Sequence, residues 1–67
     1  MKFKVGDYIV WSFKTNKFYA KILEMNKKED YYKYLNLKTG KMACYYISSL
    51  KYRNARLMTD EEKIELL

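Results

Sequence analysis

The stretch Lys17-Phe18-Tyr19-Ala20-Lys21-Ile22-Leu23-Glu24-Met25 decides the fold class. Phe18, Ala20 and Ile22 fall on one face of an extended chain, and Tyr19, Lys21 and Leu23 fall on the other. That period of two belongs to a β-strand with one buried face. Working outward, similar segments recur between a few turn formers: Gly6, Asn16, Asn26, Gly40 and Asn54. Upstream, a Val5-Gly6-Asp7 turn leads into a first strand over residues 7–14, joined to the second by Thr15-Asn16. Downstream, a charged loop over residues 26–30 precedes a third strand over residues 31–37. It carries Leu35 and Leu37 on one face and Tyr32, Tyr34 and Asn36 on the other.

Lys38-Thr39-Gly40-Lys41 reads as a hairpin turn in which Gly40 supplies a positive φ. A fourth strand is expected over residues 42–47. Ser48-Ser49-Leu50 then reads as a short 3₁₀ turn that tucks Leu50 into the core. A last strand is expected over residues 51–57. The tail differs in kind. Thr59-Asp60-Glu61-Glu62 matches a capping box, and three acids in a first turn suit the positive end of a helix dipole. Ile64 and Leu67 share a face of that short helix, which is expected to dock on the body or on a partner. The expected fold is mainly β: a five-stranded antiparallel barrel over residues 1–58, with a helix over residues 59–67. Closure would remove the exposed edges of its short strands.

A chain of 67 residues is one domain. A domain of this size buries only about 60% of its unfolded surface, so its stability margin is thin. Twelve residues are aromatic and eight of them are Tyr, which buries a ring while keeping its hydroxyl wet. Charge is unevenly distributed. Residues 1–58 hold thirteen Lys or Arg against four acids, a net +9, whereas residues 59–67 hold one Lys against four acids, a net −3. A basic body attracts polyanions, although Lys-rich surfaces also serve solubility. Cys44 is the single cysteine, so an internal disulfide is impossible. Histidine is absent, no apolar run is long enough to span a bilayer, and the N-terminus lacks the apolar core of a signal peptide. The expectation is a cytoplasmic protein without cofactor or membrane contact.

The order of residues resembles that of Tudor domains within the SH3-like barrels. Val5-Gly6-Asp7 opens a strand ending at Trp11-Ser12, and Phe18-Tyr19-Ala20-Lys21-Ile22 follows after a short polar turn. Gly40, a strand and Ile47-Ser48-Ser49-Leu50 resemble the end of the same barrels. KOW and chromo-barrel domains share several of these features. In methyl-binding Tudor domains an aromatic cage grips a methylated side chain by cation–π attraction. The resemblance puts two cage walls at Trp11 and Phe18 and the other two near Asn36 and Thr39, which are not aromatic. The resemblance therefore implies the fold rather than that ligand.

Catalysis is not expected. The body's acids are Asp7, Glu24, Glu29 and Asp30, which read as turn and loop residues, and nothing stands ready to activate Cys44. Nucleic-acid binding, DNA or RNA, fits the inventory better, because cations meet phosphates and flat rings stack on bases. The candidate residues are Trp11, Phe13, Lys14, Lys17, Tyr19, Lys21, Tyr32, Tyr34, Lys38, Lys41, Arg53 and Arg56. The competing expectation is a protein-binding module: an SH3-like adaptor, or a small regulator of the phage type docking on an acidic host protein. A monomer or a weak homodimer built through edge strands or the tail suits either reading.

Overall fold

In a computed structural model, which describes residues 3–67, five antiparallel strands form one sheet: β1 (Tyr8–Phe13), β2 (Asn16–Asn26), β3 (Tyr31–Asn36), β4 (Met42–Tyr46) and β5 (Arg56–Leu57). A short helix α1 (Ser49–Tyr52) lies between β4 and β5, and helix α2 (Asp60–Leu66) ends the chain. The sheet order is β4-β3-β2-β1-β5, so β4 and β5 are its edges, and among the described residues no strand pairing closes it.

β1 pairs with β2 through Tyr8↔Lys21, Ile9↔Ala20, Val10↔Tyr19, Trp11↔Phe18 and Ser12↔Lys17. This register puts Ile9, Trp11, Phe18, Ala20 and Ile22 on one face, where they form the core with Tyr32 and Leu50. The two-residue loop is Lys14-Thr15, one residue earlier than the sequence suggests, with Lys14 at φ 57°. At the other end of β1, the Gly6 N–H donates to the Ile22 carbonyl, and the Ile22 N–H donates to the Asp7 carbonyl.

β2 carries a bulge between Ile22 and Glu24, and this one extra residue switches which β2 positions face the core. Before the bulge Ile22 lies opposite Tyr34; after it Met25 lies opposite Tyr32. Leu23 takes up the change of parity, so Met25 packs on the core while Glu24 faces out opposite Lys33. In β3, Tyr34 lies opposite the core residue Ile22, so Tyr34 and Tyr32 face inward, and Tyr32 is fully buried.

The β3–β4 turn is held by Asn36. Its Oδ1 accepts from the Lys38 and Thr39 N–H groups, and its carbonyl accepts from the Gly40 N–H. Gly40 has the positive φ expected of it, 74°. The expected strand over residues 51–57 is replaced by α1, a loop and a two-residue β5. Leu50 is buried as expected, but from a helix instead of a 3₁₀ turn. Asn54, at φ 53°, ends that helix in the left-handed region, and the Ala55 N–H returns to the Leu50 carbonyl. Asp30, expected in a solvated loop, is structural: its carboxylate accepts from the Ser48 N–H at 3.0 Å and the Ser48 hydroxyl at 2.8 Å.

α2 starts at the expected capping box. Thr59 Oγ1 accepts from the Glu62 N–H, and the Glu62 carboxylate accepts from the Thr59 N–H. The helix is not docked by Ile64 and Leu67, while its Leu66 is half-buried. Glu62 forms a two-pronged ion pair with Arg56 at 2.8 and 3.1 Å, and the Lys63 ammonium lies over the Tyr8 ring. Ile64 and Leu67 remain 79% and 67% exposed. Val10 and Met58, outside the main cluster, are buried on the face of β1 opposite Trp11.

Candidate nucleic-acid interface

The candidate residues divide between the two faces of the sheet. Trp11 and Tyr32 have no surface to offer a ligand, being 3% and 0% exposed. Trp11 stacks on Phe18 at 5.6 Å between ring centroids and meets Tyr34 edge-on at 5.2 Å. Both are core rings, as is the half-buried Tyr34. Burial pushes the Tyr32 hydroxyl well above the usual tyrosine range.

Phe13 and Arg53 lie where the sheet curls over. The Arg53 guanidinium carbon sits 4.7 Å from the Phe13 ring centroid and 4.5 Å from that of Tyr45, and its Nη2 donates to the Tyr45 hydroxyl at 2.7 Å. Phe13 belongs to β1 and Tyr45 to β4, three strands apart in the sheet order. In a flat sheet those strands would lie about 14 Å apart. Here one side chain touches both, so the sheet curls strongly toward its inner face. Arg53 is thus engaged in bridging the fold, and Lys14 leans on the same Phe13 ring at 5.7 Å.

The opposite face brings the other candidates together. By register, Tyr8 on β1 and Lys17, Tyr19 and Lys21 on β2 project outward. The Lys21 and Lys63 ammoniums each lie 5.5 Å from the Tyr8 ring centroid, and the Lys38 ammonium lies 5.1 Å from that of Tyr19. Among the described residues the side-chain ion pairs are Lys4–Asp7 and Arg56–Glu62, so Lys17, Lys21 and Lys38 carry uncompensated charge. Arg56 belongs to this face but is neutralised by Glu62, whose carboxyl the guanidinium and the Thr59 N–H hold down at about 2.

Between the β1–β2 and β3–β4 turns lies an open hollow of about 560 Å³, lined by Thr15, Asn16, Lys17, Phe18, Tyr19, Asn36, Lys38 and Thr39. It holds the Phe18, Asn36 and Thr39 positions that the Tudor resemblance singles out, but Trp11 does not line it. Among the described residues two lysines stand at this hollow and no acid does, which suits an anion rather than a methylated cation. Lys41 is exposed just beyond the turn, its N–H donated to Thr39 Oγ1.

Tyr8 is a part of this face that the sequence reading missed. Its two lysines come from β2 and from α2, and only the alternation of β1 opposite β2 could have signalled one of them. Compared with models of protein families, with curated proteins and with solved structures, the chain matches none.

Proposed function

We propose that this chain is a non-enzymatic SH3-like barrel module, of the Tudor or KOW kind, that binds nucleic acid with little sequence preference. The observation that carries the reading is the outer face of β1 and β2. There Lys17, Lys21 and Lys38 stand unpaired beside the Tyr8 and Tyr19 rings, next to an acid-free hollow. Ammoniums at ring spacing meet a phosphate backbone, and the half-buried rings supply surfaces for stacking when the lysines turn to phosphates. Support for the barrel comes from the meander order, the α1 turn before β5 and the Arg53 bridge across the curled sheet. The test is fluorescence anisotropy of labelled single-stranded and duplex oligonucleotides at low and moderate salt. Binding that falls steeply with salt is the expected result; absence of binding at low salt would reject the reading.

A protein ligand is the second reading, favoured by β4. All five of its residues, Met42 to Tyr46, are exposed, and none is charged. An unprotected edge strand is a template for an added strand. A peptide bound there would shift the amide signals of β4 and leave those of Lys17 and Lys38 in place.

A further inference from the structure

Among the described residues, two apolar surfaces without a partner carry opposite charge. The first is the free face of α2. Glu62 and Lys63 turn toward the sheet, which leaves Ile64 and Leu67 exposed together with the acids Glu61 and Glu65. The second is a groove of about 760 Å³ floored by Phe3, Met25, Ile47 and Ala55, with the exposed Lys27 and Lys51 on its lining. Among the described residues no acid lines it, and none of α2 does, because the helix is tied to Arg56 and Tyr8.

We propose that the groove of one copy receives the α2 free face of a second copy. Ile64 and Leu67 would enter the apolar floor, and Glu61 and Glu65 would meet Lys27 and Lys51. The charges favour this occupant: a −3 tail approaches a +9 body, whereas body against body is repulsive. Both apolar side chains also gain burial that they lack in the single chain. The contact is head-to-tail, so tail and groove are each available for another copy, and reciprocal exchange would close a dimer. It leaves the Lys17–Lys38 face uncovered and does not depend on what that face binds.

The test is sedimentation velocity of the full chain over a range of concentrations. The wild type is expected to gain mass with concentration at low salt and to lose that tendency at high salt. The charge-reversed groove, Lys27→Glu with Lys51→Glu, and the charge-reversed tail, Glu61→Lys with Glu65→Lys, should each weaken self-association by about tenfold or more. Mixing the two variants should restore it, since the reversed tail then fits the reversed groove. Should a reversed chain fail to fold, Ile64→Ser with Leu67→Ser alters only exposed side chains and should abolish association by itself. A wild type that stays monomeric throughout, a mixture that stays monomeric, or association that survives in every variant would overturn the proposal.

Discussion

Replacing Arg53 with Ala should loosen the curl of the whole sheet, because one guanidinium lies against rings on β1 and β4. Each cation–π contact at a partly exposed site contributes about 0.5–1 kcal/mol. The hydrogen bond to the Tyr45 hydroxyl adds about 0.5–1.5 kcal/mol net. Ordering a long side chain offsets part of this, so a loss of about 2 kcal/mol is expected. A chain of this length has only about 3–10 kcal/mol to lose. The corresponding fall in Tm is about 8–16 °C. Urea and thermal unfolding followed by circular dichroism would measure it. Arg53→Lys separates charge from shape: it keeps the cation but loses the planar stack and the fork that reaches Tyr45, so it should recover less than half of the loss. An Arg53→Ala variant within about 0.5 kcal/mol of wild type, the range of an ordinary surface change, or an Arg53→Lys variant indistinguishable from wild type, would refute the Arg53 bridge.

Three further outcomes follow from the same geometry. Ile22→Ala, at a fully buried site, should cost about 2–5 kcal/mol, a large share of the chain's stability, whereas Ile22→Val should cost about 0.5–1.5 kcal/mol; denaturant titration distinguishes the two. Gly40→Ala meets no atom within 4 Å, so its cost is the backbone strain of φ 74°, about 1–2 kcal/mol, and Gly40→Asn should cost less in the same titration. The Glu62 carboxyl is held low by Arg56, so its contribution to seating α2 is full above the ordinary carboxylate pKa, 4.5, and is lost as pH falls through about 2. NMR of the α2 amides should show that helix loosening near pH 2; a midpoint near 4.5 would contradict the ion pair.

Local chemistry was the legible part of this fold. The alternation of Phe18, Ala20 and Ile22 identified a core-facing strand, Gly40 marked a turn needing positive φ, and Thr59 with Glu62 announced the last helix. What stayed hidden came from single-residue offsets and from distance along the chain. The bulge at Leu23 has no sequence signature of its own, and neither does the pairing of Tyr34 with core-facing Ile22; that pairing turns Tyr34, and by alternation Tyr32, inward, so rings assigned to a binding surface became core. Residues 51–53 alternate well enough for a strand, but Leu50 reaches the core from a helix that Asn54 ends in the left-handed region; Asn54 was visible as a turn former without showing which element it ended. The clustering of Lys17, Tyr19, Lys21 and Lys38 was half legible. The first three share a strand face, while Lys38 reaches Tyr19 only through the β3–β4 turn. Arg53, drawn toward phosphate by its charge, is engaged by Phe13 and Tyr45, partners 40 and 8 residues away in the chain.

The outer face of β1 and β2 is proposed to bind phosphates, and the salt dependence of oligonucleotide affinity tests that proposal most directly. The wild type should be compared with a Lys17→Ala, Lys38→Ala double variant and with Lys28→Ala, a control in the loop after β2. If both lysines meet phosphates, the double variant's salt slope should fall by about two units while Lys28→Ala leaves it unchanged. An equal slope in all three proteins would contradict the claim and return the positive charge of this face to solubility.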